Sequence, residues 1–261
     1  SLGWLNEYSL SSQNMAMVGI DFASDEVDSG TAYTKTSRDN LGGFGQFIGS
    51  VGMLDVQAAL RYDDNQQFGD SVTGDGSIGY DLNASSRITA QYGTAFKAPT
   101  FNELYYPGFG NANLDPEEST TVEAGYRWQD ANSRFSANIF SSDVDNLIAY
   151  DAATGAPGNV NAAQIQGLEL QLDTAVDAWR IGAAVTLLSA EQDGGTYDGK
   201  ELPRRPGEFL ELRLDRTFSK ASAGVSLFSS GSTYDDLANT RVIKSYTTLD
   251  LRGAYHLSAN W

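Results

Sequence analysis

Four groups of residues have types and spacings that could do chemistry. Gly74-Asp-Gly76-Ser-Ile-Gly79 satisfies the G-x-G-x-x-G spacing of a dinucleotide-binding turn. Such a turn needs a strand before it and a helix after it, so that the helix N-terminus meets the pyrophosphate. Here the glycines lie inside an alternating stretch, where they suit close backbone approach. His256 is the single histidine, with no apparent Ser–Asp partner for a nucleophilic triad. Asp143-x-Asp145 and Asp235-Asp236 could ligate Ca²⁺ only with other loop carboxylates, and read first as solvated loop charge. The fourth group is the loop 97–118, where Tyr105, Tyr106 and Phe109 stand among Pro and Gly, with Asn111 beside them. Amphipathic rings and an amide suit contact with a small-molecule ligand; interface anchoring or loop packing uses the same residues. No catalytic residue, metal ligand or cofactor is assigned, and the chain is not read as an enzyme.

The composition narrows the classes further. With 34 acidic and 17 basic side chains the net charge is −17. A nucleic-acid binder needs the opposite balance, because phosphates are neutralised by Lys and Arg. The absence of Cys excludes disulfide scaffolds and thiolate sites. The 29 aromatic residues (4 Trp, 13 Tyr, 12 Phe) argue against disorder. No apolar run approaches the ~20 residues of a spanning helix, the longest being 181–188. That leaves a membrane strand open, since alternating residues average to near-neutral hydropathy.

The elements that must hold these residues are strands. Ile88, Ala90, Tyr92 and Phe96 share one face of a stretch whose other face is Arg87, Thr89, Gln91 and Gly93. Val122, Ala124, Tyr126 and Trp128 alternate in the same way with Thr121, Glu123, Gly125 and Arg127. Period two over eight or more residues signals a strand. Eleven such segments, with weaker ones near 4–8 and 41–49, give about thirteen strands.

A soluble sandwich and a membrane barrel both alternate, so the second face decides. It carries Glu, Asp, Arg, Gln and Gly in the strand middles, as a water-filled lumen requires. The apolar face often ends in an aromatic, at Phe22, Tyr62, Phe96, Trp128, Trp179 and Tyr255, which suits girdles at two bilayer interfaces. Connections near 9–13, 51–54, 83–86, 129–132, 174–178 and 216–220 are short and rich in turn formers. Those at 25–38, 97–118, 144–163, 190–207 and 230–244 are longer, with one modest loop at 66–72. Short turns on one side and long loops on the other is the outer-membrane pattern. On that reading His256 faces the lumen and Trp261 sits at a periplasmic turn. Thirteen strands cannot close as an antiparallel bacterial barrel. The expected fold is therefore all-β, a partial antiparallel transmembrane barrel, about 13 of 22 strands. Residues 1–261 form one barrel segment, and the N-terminus, without Met or a leader, reads as the inside of a longer protein.

The stretch 91–105, Gln-Tyr-Gly-Thr-Ala-Phe-Lys-Ala-Pro-Thr-Phe-Asn-Glu-Leu-Tyr, resembles a hallmark of TonB-dependent outer-membrane receptors. Its matching positions are Gly93, Phe96, Lys97, Pro99, Glu103 and Leu104. The stretch 111–119, Asn-Ala-Asn-Leu-Asp-Pro-Glu-Glu-Ser, follows as in that family, with Leu114, Pro116, Glu117 and Ser119, then Glu123 and Gly125 on the next strand. Gly167-Leu-Glu169 is similar to the family's Gly-x-Glu strand, and 202–206, Leu-Pro-Arg-Arg-Pro, to its loop-to-strand re-entry. Ala112 departs from the Asn-Pro-x-Leu form, which affects a local turn.

The resemblance covers essentially the whole chain, matches the C-terminal half of the barrel and is most like the cobalamin transporter group. It implies energised uptake of cobalamin or a ferric siderophore across the outer membrane of a Gram-negative bacterium. Loops would capture the ligand, and a TonB complex would act through a plug that this segment lacks, together with the TonB box and the first and last strands. The calcium-binding loops of cobalamin receptors belong to the missing part. The full-length protein would be a lipid-embedded monomer. A passive porin-like barrel or a non-transporting adhesin fragment is the alternative. Lys97 and Pro99 read as ending a strand and setting the loop's exit, and Arg204 and Arg205 as pairing with lumen acids such as Glu123 or Glu169.

Overall fold

The alternation becomes a single antiparallel meander. A computed structural model describes residues 1–152, 154–160, 162–255 and 257 of the chain; His256 and Trp261 lie outside the described residues. The strands are β1 (Leu2–Ser9), β2 (Met15–Glu26), β3 (Ser37–Val51), β4 (Leu54–Asn65), β5 (Gly69–Asn83), β6 (Ser86–Lys97), β7 (Glu117–Gln129) and β8 (Ser133–Asp145). After a small hairpin of β9 (Ile148–Asp151) and β10 (Ala156–Asn159) come β11 (Ala162–Val176), β12 (Trp179–Asp193), β13 (Glu208–Thr217) and β14 (Ala221–Ser230). A second small hairpin, β15 (Thr233–Tyr234) and β16 (Val242–Ile243), precedes β17 (Tyr246–Tyr255). Thirteen strands form one sheet in the order β1-β2-β3-β4-β5-β6-β7-β8-β11-β12-β13-β14-β17, with β1 and β17 at its edges. These are the thirteen segments expected from the alternation.

Register keeps the two faces apart. Ile88 lies opposite Tyr126 and Ala90 opposite Ala124, while Gln91 lies opposite Glu123. Because side chains alternate, a one-residue slip would exchange the faces of a whole strand. The apolar face is open: Leu60 is 68% exposed, Val72 69%, Ile139 58% and Leu251 79%. A soluble protein rarely exposes a contiguous apolar patch beyond a few hundred Å², so this face calls for an apolar covering. The polar face is held by ion pairs. Arg61 reaches Asp21 at 2.8 Å and Asp63 at 2.7 Å, Arg87 reaches Asp55 at 2.6 Å and Asp81 at 2.9 Å, and Arg252 reaches Asp215 at 2.9 Å.

Connections alternate in length as expected, except between β4 and β5. One end has the turns 10–14, 52–53, 84–85, 130–132, 177–178 and 218–220; the other has 27–36, 66–68, 98–116, 146–161, 194–207 and 231–245. Asp130 Oδ1 accepts from Asn132 N at 2.8 Å and Ser133 N at 2.7 Å, which closes its turn with a short polar side chain. The modest loop at 66–72 tightens to 66–68: Asn65 Oδ1 accepts from the amides of Gln67 and Phe68, and Gly69 supplies a φ of 74°.

Two glycines show why the polar face needs them. A Cβ on Gly79 would meet the Arg87 guanidinium, and one on Gly167 would meet the Phe140 ring. Gly79 belongs to the G-x-G-x-x-G stretch, which runs within β5 with no helix after it. The buried apolar residues lie under the long loops. One cluster is Val144, Leu147, Ala163, Ala190 and Leu202; the other is Phe101, Leu104, Tyr105 and Leu114.

Candidate functional site

The loop between β6 and β7 holds one of the two buried apolar clusters. Its base is closed by Lys97 Nζ donating to Glu117 Oε2 at 3.1 Å. Lys97 ends β6 and Pro99 is fully buried two residues later, so the chain leaves the sheet there. The loop then forms one α-helical turn, α1 (Phe101–Tyr105). Thr100 caps it: the Thr100 hydroxyl accepts from Glu103 N at 3.3 Å, and Thr100 N donates to Glu103 Oε2 at 2.7 Å. This reciprocal capping box satisfies two orphan donors of a very short helix. The T-x-x-E signal is present in the sequence, although the alternation gave no reason to look for a helix.

Neighbouring loops clasp α1. Arg38 Nη1 donates to the Pro99 carbonyl at 2.9 Å, and its guanidinium lies 5.3 Å from the Phe101 ring centroid and 5.7 Å from that of Phe68. Tyr105 is buried; its hydroxyl accepts from Gln67 Nε2 at 2.5 Å, and Lys35 Nζ sits 5.8 Å over its ring. Asn111 is committed on both ends of its amide, donating to the Pro157 carbonyl at 3.1 Å and accepting from Asn113 N at 3.0 Å. Tyr105 and Asn111 therefore hold the loop together.

Tyr106 and Phe109 stand differently. Tyr106 is 43% exposed and meets Tyr33 edge-on at 5.9 Å between ring centroids. It meets Phe109 edge-on at 6.5 Å, and Phe109 stacks on Tyr150 at 6.0 Å with 9° between planes. Tyr33 is anchored by donating its hydroxyl to Asn102 Oδ1 at 2.6 Å. Four rings from three loops thus form one ladder with exposed faces at Tyr106 and Tyr150. Tyr33 and Tyr150 escaped the sequence reading, because each is a lone aromatic in its own loop and only strand pairing brings the loops together.

The other motif residues occupy the wall beneath. Leu104 and Leu114 are buried in the loop cluster, and Pro116 leads into β7. Glu117 also accepts from Ile148 N at 2.7 Å, tying the β8–β9 connection to the same base. Phe96 lies on the apolar face and pairs in register with Glu118; Ala95 and Ser119 sit opposite one another on the polar face. Gly93, Glu123 and Gly125 lie on that polar face, where Glu123 accepts from Gln91 Nε2 at 2.9 Å. Gly167 and Glu169 follow on β11, Glu169 lying between Asn138 and Thr186.

Arg204 and Arg205 do not pair with Glu123 or Glu169. Arg204 takes a φ of 58° and donates its amide to Tyr234 O at 2.7 Å, which turns its side chain onto Asp235 at 2.7 Å. Arg205 turns inward, its Nη1 sealed from solvent without an acceptor among the described residues. Burial pulls its guanidinium below the ordinary value, while the negative charge of Glu117 acts the other way. The loop acids have structural partners: Asp235 also holds Arg241 at 2.9 Å, and Asp236 accepts from Thr240 Oγ1 at 2.6 Å and Arg241 N at 2.8 Å. Those donors keep Asp236 below the usual carboxylate range. Asp143 accepts from Gln164 Nε2 at 3.2 Å.

The family model described as TonB dependent receptor-like, beta-barrel, matches residues 3–261. The chain is 31% identical over 265 residues to a vitamin B12 transporter, BtuB, of Photobacterium profundum, covering 98% of this chain and 43% of that protein. It is 28% identical over 271 residues to the same transporter of Vibrio vulnificus, covering 99% of this chain and again 43% of the relative. The chain thus spans less than half the length of these relatives. Among solved structures it superposes on a ferric enterobactin receptor of Pseudomonas aeruginosa with a TM-score of 0.78 at 17% identity, covering 98% of this chain and 46% of that one. The copper transporter OprC gives 0.77 at 18% identity, covering 95% and 46%. At such identities the superpositions show a shared fold.

Proposed function

Because the chain belongs to the TonB-dependent receptor β-barrel family, we propose that it is wall and loops of an outer-membrane receptor that captures and imports a large, scarce ligand. Cobalamin is the first candidate and a ferric siderophore the second. The observation that carries this reading is the ring ladder Tyr33–Tyr106–Phe109–Tyr150, displayed on the long-loop end of the wall. Aromatic faces bury large area at low entropic cost and suit a bulky ligand with apolar edges. Tyr106 and Phe109 make the contacts in this reading, with Tyr105 and Asn111 holding them in place.

The relatives named as vitamin B12 transporters support cobalamin over a siderophore, since they match at higher identity than the siderophore receptors do. Residues 1–261 supply a wall segment; a plug domain, the earlier strands and the last strands belong to the rest of a longer protein, which works as a monomer in lipid. Capture by the loops is followed by displacement of the plug, driven by the TonB complex. The barrel makes and breaks no covalent bond. A passive porin is the second reading, because the charged polar face would also line an open channel.

Uptake of labelled cobalamin by Gram-negative cells carrying the full-length receptor separates the two. Saturable uptake that stops when TonB is deleted is expected. Linear, TonB-independent flux would make the protein a pore.

A further inference from the structure

The apolar face of the thirteen main strands carries a single basic side chain. Arg216 lies opposite Trp179 on β12 and Ala223 on β14, in the row of Leu210, Leu212 and Leu214, and so projects from the apolar face. Every other Lys or Arg borne by the thirteen main strands sits on the polar face by the same register. Arg216 is at the short-turn end of β13, next to the turn 218–220.

Its guanidinium is fixed in place. It lies 4.9 Å from the Trp179 ring centroid and 4.9 Å from that of Phe218, between two aromatics. Stacking on ring faces holds the planar group but leaves its in-plane N–H donors unused. Among the described residues Arg216 forms no ion pair, whereas the polar-face arginines 61, 87, 213 and 252 each hold a carboxylate. Lys220, in the adjacent turn 218–220, forms none among these residues either. Toward the wall's middle the apolar face continues as Ile181, Leu214, Val225 and Leu251 in one row, then Ala183, Leu212, Leu227 and Leu249 in the next. An oriented cation at the edge of an aliphatic runway fits an amphiphile whose anionic head lies level with the girdle.

We propose that Arg216, clamped by Trp179 and Phe218, binds the phosphodiester of a phospholipid at the short-turn rim of the wall, with the acyl chains lying over the Leu214 and Leu212 rows. The proposal rests on the membrane reading above. Phospholipid is favoured over a free phosphate because the donors face an apolar surface that only acyl chains would cover. Arg at this place supplies a forked pair of donors to phosphate oxygens, which Lys cannot reproduce.

Native mass spectrometry of the full-length receptor in detergent, titrated with phosphatidylglycerol, tests this. Wild type is expected to hold a phosphatidylglycerol that Arg216→Gln binds about fivefold more weakly. Arg216→Lys should recover part of that loss, and Arg180→Gln on the polar face should change nothing. A galactolipid of the same chains, lacking phosphate, should not compete. Equal lipid binding by wild type and Arg216→Gln overturns the proposal, as does displacement of the lipid by inorganic phosphate alone, which would make this a free-anion site. Gel mobility with and without heating verifies that each variant is folded. If the full-length protein stays soluble and monomeric without detergent, the membrane reading itself fails; if it needs detergent and the lipid titrations coincide, only the Arg216 site fails.

Discussion

Replacing Ile139 by Arg separates a lipid-facing wall from a soluble sheet. Ile139 is the central residue of β8, lies opposite Ala124 and Leu168, and is 58% exposed. In water, an exposed strand position of this kind tolerates Arg within about 0.5 kcal/mol. At the midplane of a bilayer the same change costs about 2–4 kcal/mol, because the guanidinium must leave water or deform the lipid. At about 1.4 kcal/mol per decade this is a loss of roughly 30- to 700-fold in the folding equilibrium. Gln171→Arg is the control, since Gln171 is on the polar face and already donates to Asp173 at 2.9 Å; its expected effect is within about 0.5 kcal/mol. The assay is guanidinium-titrated folding of the full-length receptor into phosphatidylcholine vesicles, followed by Trp fluorescence. Equal stability of the two variants would refute the assignment of faces, and a larger loss for Gln171→Arg would reverse it.

Other expectations follow from the loops and the polar face. Gly167→Ala places a methyl against the Phe140 ring. The strain should cost about 1–3 kcal/mol in the same titration, and Phe140→Ala in the same chain should relieve part of it. Leu104→Ala removes a nearly fully buried side chain from the loop cluster; a local loss of about 2–5 kcal/mol should appear as faster proteolysis of the loop 98–116 with the strands intact. Thr100→Ala deletes the cap of α1 and should cost about 1 kcal/mol, read as lost amide protection at Glu103. Asp236 is held ionised by Thr240 and Arg241, its pKa lowered from 3.8. Its folded value lies below the unfolded one, so its contribution is complete above the ordinary carboxylate pKa and fades as pH falls through the lowered value. Amide protection of Thr240 and Arg241 should fall in that acid range in wild type and lose this dependence in Asp236→Asn.

Much of the wall was legible because its code is local. Val122, Ala124, Tyr126 and Trp128 alternate with polar partners on one strand, and an apolar medium on one side with water on the other would impose that pattern on every strand. Turn positions were legible for the same reason, through residues such as Asp130 that close their own turns. The loops carried less. α1 depends on a capping box of two residues inside a segment where no periodicity exists. The ring ladder depends on three loops meeting, so Tyr106 and Phe109 could be singled out by their neighbours but Tyr33 and Tyr150 could not. Tyr105 and Asn111 have the same residue types as ligand contacts do, and only burial and hydrogen bonding show that they brace the loop. Arg204 was misplaced because a left-handed backbone, invisible in composition, turns it away from the lumen acids.

Equilibrium binding of cobalamin to the full-length receptor in detergent, alongside a panel of ferric siderophores, tests the central claim most directly. Saturable cobalamin binding that weakens in Tyr106→Ala and Phe109→Ala, while Gln171→Arg binds as wild type, is the predicted result. Binding of neither cobalamin nor any siderophore would contradict capture by the ring ladder, and so would cobalamin binding indifferent to both aromatic substitutions.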